Sequence, residues 1–234
     1  MTIAIGLHLG SCVLLASDTR TTFFEGSNLR TYYDDSEKIQ KTRFGLITGA
    51  GNLSLLDSVK RRMLLNFIEN TDDMLRIIHE ERNHLKNKYK YSLEVFRNLI
   101  ESTGWIFTYH TYIKEKPLLR LAVYHPTLDN GIGYYEKGNP AIIFPFEAKK
   151  EERDYIGSIF EDSFKHLNNF ETIQETLQYY CELIFVTIRL FQPKYPSISK
   201  YVQYGVHTFE NLVGISKIIK NENISFDLQL NPLI

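Results

Sequence analysis

What narrows the folds open to this chain is the order in which its apolar periodicity changes. Residues 2–9 alternate, with Ile3, Ile5, Leu7 and Leu9 set against Ala4, Gly6 and His8, the two-residue repeat of a strand. After a turn at Gly10 and Ser11, residues 12–18 are apolar on both faces, as in a strand covered on both sides. A polar loop at 25–28 precedes two more strand candidates, 31–40 and 44–48. Asn52 then stands as cap to a helix in which Leu53, Leu56, Val59, Met63 and Phe67 recur at three- and four-residue steps. Lys60, Arg61 and Arg62 fall largely on its other side and read as a solvated face.

Residues 71–102 read as a longer helix opened by Thr71, Asp72 and Asp73, with a polar middle at 83–91 where it can break. Strands return at 105–113, 118–124 and 132–136, with a turn at 129–131, and Gly138, Asn139 and Pro140 close that unit. A charged stretch at 147–154 leads to helices over 158–167 and 172–191, the second stopped by Pro193. The last strands are 201–209 and 212–219, and 220–223 with Pro232 reads as an edge or a loose tail. Strands, two helices, strands, two helices, strands is the order of sheets packed together and covered by helices, not of an alternating parallel fold. The expectation is an α+β chain, a four-layer αββα sandwich of two antiparallel sheets with helices on both outer faces, forming a single domain over 1–234.

Composition agrees: 234 residues, 43% of them hydrophobic, can bury one substantial core. A net charge of −1 gives no basic field for nucleic acid or anionic lipid, so neither is expected as a partner. No basic leader and no long uncharged apolar run is present, so a cytoplasmic protein is expected. Cys12 and Cys181 lie in apolar stretches and read as small buried hydrophobes. The seven histidines show no zinc-ligand spacing, and neither a metal nor another cofactor is expected.

Four short stretches carry residues suited to chemistry. Thr2 follows Met1, and a small second residue normally lets the initiator Met be removed, leaving a hydroxyl and a free α-amine on one residue. That amine, with an ordinary pKa of about 7.7 to 8, can act as base for its own hydroxyl. Asp18 ends an apolar strand and has to be satisfied, either by Arg20 and the next turn or by a more distant cation. Lys38, in Ser36-Glu37-Lys38-Ile39, is either a solvated side chain or that cation; paired with Asp18 beside the amine it would lower the amine's pKa. Gly49-Ala50-Gly51-Asn52 is a small-residue turn from strand to helix, read either as simple punctuation or as a source of backbone N–H groups for an oxyanion.

Together these stretches resemble the N-terminal-nucleophile hydrolases of the proteasome β-subunit class over residues 2–65, and Thr48-Gly49-Ala50-Gly51-Asn52-Leu53 is most similar to the bacterial proteasome-related Anbu and HslV-type peptidases. The resemblance implies a threonine peptidase cleaving peptide or amide bonds. Thr2 would be nucleophile and, through its amine, base; Lys38 would tune the amine; Asp18 would orient Lys38; the Gly51 N–H would take the oxyanion; Arg20 would be structural. It also implies a Ser at the head of the third helix, matched here by Ser158, and an Asp and a Ser after the fourth. Residues 189–199 hold no Asp, only Ser197 and Ser199, and this departure bears on proton handling. The implied partners are a peptide or protein substrate and copies of the chain itself, in a ring or a helical oligomer. Whether an ATPase unfoldase joins them is open at this point. So are two other readings, a non-catalytic assembly or binding protein on the same fold and a narrow-specificity amidase or transpeptidase.

Overall fold

The computed structural model describes residues 2–221 except 26–27, 67, 69, 90–93, 129–130, 146 and 211–212. It is an α+β fold in which every strand pairing is antiparallel. The strands are β1 (Ala4–His8), β2 (Cys12–Asp18), β3 (Thr21–Glu25), β4 (Asn28–Tyr33), β5 (Gln40–Lys41), β6 (Leu46–Ala50), β7 (Gly104–Ile113), β8 (Lys116–Tyr124), β9 (Ile132–Tyr135), β10 (Pro140–Ile143), β11 (Val202–Glu210) and β12 (Val213–Asn221). The helices are α1 (Leu53–Leu65), α2 (Thr71–Lys88), α3 (Glu94–Glu101), α4 (Lys150–Ser163), running on into a 3-10 segment Phe164–Asn169, and α5 (Ile173–Phe191). One five-stranded sheet has the order β10-β1-β2-β11-β12, the other β5-β6-β7-β8-β9, and β3 with β4 forms a separate ribbon.

Strand alternation divides the core in three. Ile3, Ile5, Leu7, Leu14, Val202 and Tyr204 point from the first sheet toward α4 and α5. Ala4, Leu15, Leu46, Ile106 and Leu121 meet between the sheets. Ile47, Trp105 and Phe107 face away from them, toward α1 and α2. Gly6 and Gly205 belong to the middle layer, where a Cβ on Gly6 would lie 2.8 Å from Leu121 and one on Gly205 2.8 Å from Leu46. No helix among the described residues is long and apolar enough to cross a membrane. Both cysteines are free and buried, and burial pushes the Cys12 thiol up to about 12.

Several expectations from sequence are corrected. The expected strand over 31–40 stops at Tyr33 and resumes only at Gln40, because residues between them bond to loops and side chains instead of a neighbouring strand. The expected close at Pro140 is the first residue of β10, which crosses to the other sheet and pairs with β1 as an edge strand, a position a proline tolerates. The long helix is two, α2 and α3, with residues 90–93 between them outside the described set. The helix expected from Ser158 starts at Lys150, so the charged stretch forms its first turns, with the Glu152 carboxylate accepting the Lys149 N–H at 3.1 Å. Lys60 is not solvated: it is 7% exposed and lies on the buried stripe of α1 with Leu55, Leu56, Val59 and Met63. Phe67, residues 129–130 of the expected turn, the middle of the 25–28 loop, Leu212 and Pro232 lie outside the described residues.

Candidate active site

The antiparallel register of β1 and β2 sets Ala4 opposite Ser17, which brings the start of β1 beside Asp18 at the end of β2. Asp18 is fully buried. Its Oδ1 accepts the Ile3 N–H at 3.0 Å, and its Oδ2 accepts the N–H groups of Arg20 at 2.9 Å and Ser199 at 3.1 Å. The Lys38 ammonium stands 3.3 and 3.4 Å from the two oxygens and donates to Thr2 Oγ1 at 2.5 Å. The more distant cation therefore satisfies Asp18. Arg20 contributes only its backbone: its guanidinium forks onto Asp34 at 2.6 and 2.7 Å, reaches the Pro196 carbonyl at 2.6 Å and stacks on Tyr32.

Lys38 sits on the loop between β4 and β5, and that loop is held by side chains. Gln203 on β11 accepts both the Lys38 N–H at 2.7 Å and the Ile39 N–H at 2.8 Å through one oxygen. Lys60 on α1 donates to the Lys38 carbonyl at 2.6 Å. Burial pushes the Lys38 amine below the ordinary lysine range, against the pull of Asp18. Burial and, more weakly, the Lys38 charge push Lys60 down to about 8, opposed by Asp57.

Gly51 directly follows β6 at φ +132°, where a Cβ would meet Thr103 Oγ1 at 2.3 Å, so only glycine fits the turn. Thr103 Oγ1 in turn accepts the Asn52 N–H at 2.9 Å, and Asn52 caps α1 through Leu55 N–H at 3.0 Å. Gly51 and Thr2 line one cleft of about 430 Å³, with walls that include Val123, Leu128, Ile142 and Phe144, and with His125 and Arg153 also lining it. Burial lowers the pKa of His125.

Ser158 is not brought to this group. Because α4 begins eight residues before it, Ser158 falls in mid-helix on an exposed face and donates to the Tyr155 carbonyl at 2.8 Å. The α4 residue at the cleft is Arg153. In the segment after α5, Ser199 is buried beside Asp18, and its hydroxyl accepts the Tyr201 N–H at 3.0 Å. Ser197 is buried too, and its hydroxyl has no hydrogen-bond partner among the described residues. Gln203 and Lys60 escaped the sequence reading, though Lys60 had a signal: it lies four residues after Leu56 and three before Met63, on the stripe itself. No group of three or more His, Cys, Asp or Glu side chains placed to hold a metal ion occurs among the described residues.

No model of a protein family matches the sequence, and no curated protein matches it. Solved structures do, and they show the fold to be that of the proteasome-like N-terminal-nucleophile hydrolases. The neighbours include Anbu proteins. The Anbu complex from Pseudomonas aeruginosa, solved as a helical assembly, superposes with a TM-score of 0.60 at 14% identity, over 94% of this chain and 88% of its own. Anbu from Yersinia bercovieri, described as an ancestral beta-subunit, gives 0.57 at 15% over 94% and 88%. A mutant Anbu from Hyphomicrobium sp. strain MC1 gives 0.55 at 16% over 95% and 89%.

Proposed function

We propose that this protein is a threonine-type peptidase or amidohydrolase whose nucleophile is the Thr2 hydroxyl, freed together with its α-amine by removal of Met1. The observation that carries this reading is the buried line from Asp18 through the Lys38 ammonium to Thr2 Oγ1. A lysine that bonds a threonine hydroxyl at the edge of a cleft, backed by a fully buried carboxylate, has no packing purpose that an apolar side chain would not serve better. In the proposed cycle the Thr2 amine takes the hydroxyl proton as Oγ1 attacks a carbonyl carbon. The Lys38 ammonium donates to Thr2 Oγ1 as it loses its proton, and the Gly51 N–H faces the oxyanion. The amine then passes its proton to the leaving nitrogen, an ester to Thr2 remains, and water hydrolyses it to regenerate the free residue.

The same reading takes the chain as one domain, a four-layer αββα stack, which the three separate apolar clusters support. It also takes the working form as a self-assembled oligomer. Two observations support that: the helical assembly of the Pseudomonas aeruginosa neighbour, and exposed apolar side chains such as Tyr155, Val186 and Leu190 on the outer helices. One observation favours the rival reading of a non-catalytic assembly protein, the lack of an Asp in residues 189–199.

The test is intact mass and peptide mapping of the purified protein after treatment with a peptide epoxyketone, which closes a ring on a threonine that carries both a hydroxyl and a free amine. The expected result is a chain lacking Met1 and one adduct on Thr2, absent from Thr2→Ala. A retained Met1, or a free Thr2 that never labels, overturns the peptidase reading in favour of the assembly protein.

A further inference from the structure

We propose that Lys60 is a positioning residue for the Thr2 site, acting through Lys38 and resting on the peptidase reading above. Its ammonium donates to the Lys38 carbonyl at 2.6 Å from a position only 7% exposed. A stripe of α1 that otherwise holds Leu55, Leu56, Val59 and Met63 would pack as well with Met at this position, and burying an ammonium costs stability unless it is fully paired. Among the described residues Lys60 has no carboxylate in contact and one carbonyl, so its burial is not explained by an ion pair there.

The place of α1 explains what that contact does. Its N-terminal cap, Asn52, directly follows Gly51, so a single rigid helix ends at the proposed oxyanion turn and carries, two turns along, the anchor of the Lys38 loop. Lys60 thereby fixes Lys38 relative to Gly51, with Gln203 holding the same loop from β11. It is also an electrostatic neighbour. The charged groups acting on it are Asp57, three residues earlier on α1, and Lys38. The acids of α2 that face α1 are engaged elsewhere: Glu80 and Glu81 bind Arg62, and Glu81 also binds Ser58. Coupling between two titrating sites is reciprocal, so a proton on Lys60 disfavours the proton on Lys38 and on the adjacent Thr2 amine. That keeps more of the base neutral at a given pH.

The experiment measures the rate of epoxyketone labelling of Thr2 against pH in the full-length wild type, Lys60→Met and Lys60→Arg, with melting temperature as the check on folding. Lys60→Met is expected to stay folded, to label about tenfold more slowly at neutral pH, and to move the midpoint of the acid limb to higher pH, because loss of a nearby positive charge raises the pKa of the base. Lys60→Arg, which keeps the charge, is expected to hold the wild-type midpoint. A Met variant with the wild-type rate, or one slowed equally at every pH with its midpoint unmoved, overturns the proposal while leaving the peptidase reading intact. A wild type that does not label overturns that reading and the role of Lys60 with it.

Discussion

Asp18 and Lys60 show the two ways a buried charge is accommodated here. Asp18 has three backbone donors and an ammonium, so its desolvation is met by a closed set of partners. Lys60 has one carbonyl among the described residues, and its amine is pushed down to about 8 from an unfolded value near 10.5. Below pH 8 the folded and unfolded chains both hold that proton, and the burial penalty is complete. Between about 8 and 10.5 the unfolded chain binds the proton and the folded chain does not, so this group's contribution to stability rises with pH. Urea unfolding of wild type and Lys60→Met from neutral pH to 10.5 is expected to show wild type gaining on the variant by about 3 kcal/mol across that window. A difference that stays flat with pH would mean that the Lys60 ammonium is reached by water and titrates in the folded chain as it does in the unfolded one.

At the scale of the element, the turn from β6 into α1 is the most demanding backbone in the site. Gly51→Ala places a methyl group against Thr103 Oγ1 at a φ that side chains avoid, and displaces the bond that seats Asn52. We expect a loss of about 2 kcal/mol in urea unfolding, together with loss of Thr2 labelling; a variant of wild-type stability would show that the turn relaxes freely. This turn was legible in the sequence because its information is local: small residues, a capping Asn, then apolar spacing. The strand and helix order was legible for the same reason. What escaped depends on distant partners. The loop carrying Lys38 reads as strand until Gln203, 165 residues on, is seen to take its N–H groups. The edge strand β10 has only four residues and opens with a proline, so little periodicity marks it. The start of α4 is hidden because its first turns are charged and largely exposed, and that misplaced start carried Ser158 with it. Lys60 was misread because charge outweighed its position on the stripe.

For the whole molecule, the outer helices present Val186 and Leu190 one turn apart on α5, with Tyr155 on α4. If copies of the chain meet through these helices, Val186→Asp with Leu190→Asp lowers the mass seen by light scattering, and exposed substitutions of this kind otherwise change stability by only about 0.5 kcal/mol. An unchanged mass would move the contact to another face. A last consequence comes from the Ser199 N–H on Asp18, a bond that spans 181 residues. Thr2 leaves the ribosome well before Ser199, yet the carboxylate behind it gains its full set of donors only when residue 199 has been made. At ordinary rates of synthesis that is about 10 to 40 seconds later. A chain interrupted before that point carries Thr2 and Asp18 without one of the three backbone donors, so under the peptidase reading proposed above a truncated product is expected not to cut.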